Sequence, residues 1–149
     1  MIRREEKEGW FLINQDDHAA LSGKTMNYWG NEAFESPDPK AEVLFAITEH
    51  DNGWKEWDSS PRLNSQTRYP MNFMEMDFPD QKTIWTRSFR RFSEDHPYAS
   101  ALIALHFRIF NQKIIRSTIR ATAKRENPSK GMLTIPPAVQ ILSIDISLT

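Results

Sequence analysis

The segment that most restricts the fold follows His96-Pro97, where Ala99, Leu102, Ile103, His106, Ile109 and Phe110 recur at steps of three and four. Such spacing lines one face of an α-helix and does not fit a strand, whose period is two. Proline suits the first helical turn, because the N–H it lacks would have no partner there. A helix is therefore expected from about 97 to about 125, with His106 in the middle of its apolar face. The same period marks three shorter helices. Asp16 or Asp17 is expected to cap one that runs to about Trp29 and ends at Gly30, with His18, Leu21, Thr25 and Tyr28 on one mixed apolar face. A second spans about 39–51 after the loop Pro37-Asp38-Pro39, carrying Val43, Leu44, Ile47 and then His50 or Asp51 until Gly53 breaks it. A third runs from Asp80 to about Ser93, with Ile84, Trp85, Phe89 and Phe92 inward.

Two short strands, about Ile2–Glu5 and Trp10–Ile13, precede these helices with Gly9 between them. Residues 52–79 show no period but hold Gly53, Pro61, Pro70, Pro79 and many aromatics, and an unstructured connection of that length tends to be functional. Beyond Pro136-Pro137, Leu142 to Thr149 alternates apolar and polar residues, a strand pattern. The expected fold class is mainly α, a helical bundle with a small N-terminal β-hairpin and a strand-like C-terminal tail. A single domain over 1–149 is expected, with strands in 1–14, a helical core over 15–126 and a divergent tail over 127–149.

Composition removes several function classes. There is no cysteine, so disulfides and thiolate metal sites are excluded. A metal would have to be held by His, Asp, Glu or water, which suits Mn, Fe, Zn or Mg. The charged N-terminus lacks the apolar centre of a signal peptide, and no apolar run reaches membrane-spanning length. A soluble cytoplasmic protein is expected, with no membrane partner. The net charge of −1 hides a basic stretch, with Arg108, Lys113, Arg116, Arg120, Lys124, Arg125 and Lys130 against Glu126. No known motif or interleaved aromatics accompany it, so a solvated helix face is expected there in preference to a nucleic-acid surface.

The four histidines are the residues that carry chemistry. Each has a structural account: His18 near a helix start, His50 at the negative end of its own helix, His96 before a proline, His106 bonded to a carbonyl. Jointly they say more. His18, His50 and His106 are expected at core-facing or helix-end positions on separate helices, where a buried imidazole without a partner costs about 1–3 kcal/mol. One ion accepting several imidazoles would satisfy them together, and facing helices of a bundle are where such ligands assemble. His50-Asp51 adds a carboxylate directly beside an imidazole.

The order His18, His50-Asp51, His96, His106 resembles the H…HD…H…H pattern of the HD superfamily of metal-dependent phosphohydrolases, and His50-Asp51-Asn52-Gly53 resembles the HD-x-G start of its cyclic-dinucleotide phosphodiesterase branch. The resemblance implies an HD-like helical bundle in which His18, His50 and Asp51 hold a first divalent metal. Asp51 would bridge to a second, served by His96 and His106. That superfamily closes its first site with a late aspartate. Only Asp145 follows His106 here, on the polar side of the tail, so completion would fall to Asp95, Asp58 or Asp77. Gln15-Asp16-Asp17-His18-Ala19, Tyr28-Trp29-Gly30, Glu49-His50-Asp51-Asn52-Gly53-Trp54, Trp57-Asp58, Asn72-Phe73 and His96-Pro97-Tyr98-Ala99 more closely resemble a bacterial group, domain-of-unknown-function family 3891, over about 1–112. That family implies no activity.

Two readings stand. The first is a metal-dependent phosphohydrolase acting on a small phosphorylated molecule. In it Asp51 and Lys55 are the catalytic candidates, and Trp54, Trp57, Arg62 and Asn72 the substrate-binding ones; Lys55 and Arg62 would neutralise phosphate oxygens. The second is a non-catalytic helical module with structural histidines, binding a ligand or partner through the aromatic stretch 54–73.

Overall fold

The computed structural model describes residues 1–125, with side chains through Gln112. The chain divides into two units, Met1–Leu105 and one beginning at His106. The strand pattern of 142–149, with Asp145, and most of the basic stretch lie outside the described side chains.

In the first unit β1 (Ile2–Glu6) and β2 (Gly9–Ile13) form an antiparallel hairpin with Ile2 opposite Ile13 and Glu5 opposite Trp10. Arg3 anchors it. Its guanidinium forks onto Glu75 at 2.7 and 3.1 Å, reaches the Pro70 carbonyl, and lies 4.9 Å over the Trp10 ring, which itself tilts against Tyr69 at 4.8 Å. The fork fits a carboxylate, and the planar cation stacks on an indole.

α1 (Gln15–Met26) and α2 (Lys40–Glu49) pack directly on one another. Their contact is made by small residues. Gln15, Ala19 and Gly23 form the buried face of α1 and Ala46 that of α2. A Cβ at Gly23 would collide with the Thr48 side chain, so glycine sets how closely the helices approach. The expected face of α1 is therefore reversed: His18, Leu21, Thr25 and Tyr28 all face solvent, Tyr28 being 86% exposed. Its start also differs from expectation. Asn14 occupies the cap position without a side-chain cap bond, and the free Gln15 N–H is taken instead by the buried Asp58 carboxylate at 2.8 Å. Asp16 and Asp17 lie within the first turn, where their charge complements the helix dipole.

The stretch 52–79 is organised. A 3₁₀ turn at Asn52–Trp54 leads into α3 (Lys55–Asp58), Leu63 and Pro70 form a bridge, and a second 3₁₀ turn spans Phe73–Glu75. Side chains hold it locally: Asn64 Oδ1 accepts from Gln66 and Thr67 N–H, and Asn72 Oδ1 from Met74 N–H. Such turns have no repeat, which is why no period was visible. α4 (Phe78–Arg90) is capped by Asp77, which accepts from the Asp80 N–H. Trp54, Met76, Ile84, Trp85, Ala99 and Ile103 supply the core of this unit.

α5 (Pro97–Arg125) starts at the expected proline and continues to the last described residue. Its buried positions among the described side chains are Ser100 and the set Ala99, Ile103, Phe107 and Asn111, which recurs at a step of four. That set places His106 outside the buried face: it is exposed and makes ring contacts with Phe107 and Phe110 in its own unit. Among the described residues no helix is long and apolar enough to cross a membrane.

Candidate metal centre

α2 ends where its last carbonyls need donors. His50 meets one of them, its ring Nδ1 lying 2.7 Å from the Ile47 carbonyl oxygen. A carbonyl only accepts, so Nδ1 carries hydrogen and donates. The other ring nitrogen, Nε2, then faces the Asp51 Oδ2 at 3.3 Å. Two groups with lone pairs this close require something positive between them, a proton or a metal ion. Burial disfavours a charged imidazole, but the hydrogen bond and charge of Asp51, helped by the Ile47 carbonyl, outweigh it and raise the His50 pKa above its ordinary value.

The third member comes from α1. The His18 ring stands edge-on to His50 with centroids 6.0 Å apart. One ligand atom from each of His18, His50 and Asp51 lies within 4.8 Å of the others. Ligands at about 2.0–2.2 Å on a tetrahedral ion sit about 3.4 Å apart, so the His50–Asp51 edge at 3.3 Å already has the required length, and the His18 edges are no longer than 4.8 Å. Nδ1–H donation from a ligating His to a carbonyl is the usual way its orientation is fixed. The donor set of His18, His50 and Asp51 could therefore hold one divalent ion.

The turn behind Asp51 is locked to α4. Asn52, wholly buried, donates from Nδ2 to the Glu49 carbonyl at 2.6 Å and the Ser88 carbonyl at 2.8 Å. Gly53 N–H donates to Ser88 Oγ at 3.0 Å, and a Cβ at Gly53 would strike the Ile84 carbonyl and Ser88. Arg91 donates to the Asn52 carbonyl and Arg87 to the Gly53 carbonyl, at 2.9 and 3.2 Å, and both guanidiniums also grip Glu56. These α4 residues were missed from sequence. The available signal was Ser88 one turn after Ile84, a polar residue inside an apolar stripe, flanked by two arginines four apart.

The other expected site residues are placed elsewhere. His96 stacks on Phe45 with centroids 3.9 Å apart and bonds Glu42 Oε1 through Nδ1 at 3.2 Å, so it belongs to a contact with α2 and not to the three-residue cluster. His106 lies in the second unit. Asp58, offered above as a completing ligand, is taken by the Met1 amine at 2.8 Å and by Gln15; Asp77 is the α4 cap. Trp54 is 2% exposed, edge-on to Phe73, and forms core in place of a ligand-binding surface. Asn72 caps the second 3₁₀ turn. Lys55 is half exposed, its Nζ 3.9 Å from both Asp16 and Glu49. Trp57 and Arg62 stack on each other at 4.1 Å beside a cleft.

The model of the family described as "Protein of unknown function (DUF3891)" matches residues 1–131. The chain belongs to that family. The match covers the hairpin, α1 to α5 and all three residues of the cluster. No curated protein and no solved structure matches the chain, and the HD-superfamily resemblance rests on the motif order alone.

Proposed function

We propose that His18, His50 and Asp51 bind a divalent metal ion and that this DUF3891 protein is an HD-like metal-dependent phosphohydrolase acting on a small phosphorylated molecule. The observation that carries the reading is the convergence of two imidazoles and a carboxylate from α1 and the end of α2 within 4.8 Å. Bound there, a divalent ion (Mn, Fe, Zn or Mg) supplies Lewis acidity toward a phosphoester oxygen and acidifies water. The protein's part is to hold the ligands: Ile47 fixes the His50 ring, and the Asn52–Ser88 lock fixes the turn that carries Asp51. Lys55 is the cation in the same segment suited to a substrate phosphate, being only loosely paired with Asp16 and Glu49.

Elemental analysis of protein purified without a histidine tag tests the reading. Near-stoichiometric Mn, Fe or Zn is expected in the wild type and its loss in His18→Ala, with metal-dependent release of phosphate from a generic phosphoester in the wild type only. One observation favours the alternative, a non-catalytic helical binding module with structural histidines: a protonated His50 is fully satisfied by Ile47 and Asp51 without an ion. That module would take up no metal from a Mn or Zn titration, and His50→Ala would lower its stability alone.

A further inference from the structure

The geometry points to a second ligand site, a cleft between α3 and α4 that binds a small oxyanion carried on a ring. The cleft has a volume of about 230 Å³ and is lined by Glu56, Trp57, Ser60, Arg62 and Arg87. None of these residues belongs to the His18–His50–Asp51 cluster, and the inference does not depend on a metal there.

One of its two cations, Arg62, is not used up by the fold. Arg62 lies with its guanidinium carbon 4.1 Å over the Trp57 ring, a stacking that restrains a long side chain while leaving its in-plane N–H groups open. Its paired carboxylate, Asp80, is 3.9 Å away, beyond hydrogen-bond reach, and among the described residues that guanidinium makes no hydrogen bond. The Ser60 hydroxyl likewise makes no hydrogen bond among the described residues. Donors restrained at a cleft without acceptors are the complement of an oxyanion. Glu56 does not oppose this. Its two oxygens are gripped by Arg87 and Arg91, so its charge is matched by two guanidiniums. Summed over the charged lining residues Glu56, Arg62 and Arg87, the wall carries one net positive charge. Trp57, half-buried and with one ring face taken by Arg62, still lines the cleft and supplies an apolar wall against which a ring attached to the anion would lie.

Calorimetric titration of chelator-treated full-length protein with phenyl phosphate, inorganic phosphate and benzoate tests the site. Saturable one-to-one binding of phenyl phosphate is expected, tighter than inorganic phosphate because of the ring. Arg62→Met should weaken it at least about tenfold, the scale of a lost charge-assisted hydrogen-bond pair. Ser60→Ala should weaken it less. Both side chains are exposed, so unchanged melting temperatures are expected and separate loss of binding from loss of fold. Benzoate binding that depends equally on Arg62 would extend the site to carboxylates and supports it. His18→Ala, at an exposed position of the other cluster, should bind phenyl phosphate as the wild type does. Absence of saturable binding by all three anions overturns the proposal. So does affinity unchanged in Arg62→Met, or affinity lost in His18→Ala alone, which would assign the anion to the metal centre.

Discussion

Glu75 collects more partners than any other exposed carboxylate described here. It takes a forked bond from Arg3 on β1, the Asn72 N–H and, at 3.3 Å, the Asn64 amide. Burial is the largest single effect and works against its charge, but the Asn72 N–H, Arg3 and Asn64 together prevail and hold its carboxyl below the ordinary 4.5. A carboxylate whose pKa is depressed on folding adds stability that is complete above the unfolded value and is lost as pH falls through the folded one. Acid should therefore erode this hairpin anchor from about pH 4.5 downward. Melting temperatures of the wild type and Glu75→Gln between pH 3 and 7 are expected to differ most at neutral pH and to converge at the acid end. A constant gap across that range would show that the charge of Glu75 contributes nothing.

At the scale of elements, the turn joining α2 to α3 is held against α4 by contacts that only a glycine and a small hydroxyl permit. Gly53→Ala should force the turn away from the Ile84 carbonyl and Ser88, costing about 1–3 kcal/mol as overpacking does. Ser88→Ala should cost about 1–3 kcal/mol by leaving the Gly53 N–H buried without an acceptor. Urea midpoints with unchanged slopes would check both; a Gly53→Ala midpoint equal to wild type would contradict the packing. Sequence made the helices and the His50-Asp51 end of α2 legible, because caps, prolines and three-to-four spacing are local signals. Which face turns inward was another matter. The stripe of His18, Leu21, Thr25 and Tyr28 is real, yet α1 buries Ala19 and Gly23 because close approach to α2 needs small residues, and hydrophobicity does not register them. α5 repeats the lesson. A step of four through Ala99, Ile103 and Phe107 is buried, and His106, one residue off that line, is not. His96 was undecidable locally, since its partners Glu42 and Phe45 come from another helix.

For the molecule as a whole, the candidate metal centre links α1 to the far end of α2, elements that the unfolded chain does not hold together. An ion bound there stabilises the folded state by mass action. At a free metal concentration a hundredfold above the dissociation constant, the gain is about 2.7 kcal/mol, or about 5–10 °C in melting temperature for a chain of this size. The two kinds of ligand should respond differently to removal. His18 is exposed and its ring closes the cluster from outside, so His18→Ala should melt within a degree or two of the wild type in chelator while losing the whole shift on adding Mn or Zn. Asp51 is buried against His50, so Asp51→Ala should lose both the shift and part of the stability in chelator, because an imidazole is left there without its carboxylate. Thermal melts of the three proteins, each with chelator and with metal, separate these effects. A metal-induced rise of equal size in His18→Ala would mean that the ion binds elsewhere, and the cluster would then be a structural His–Asp pair with an exposed histidine beside it.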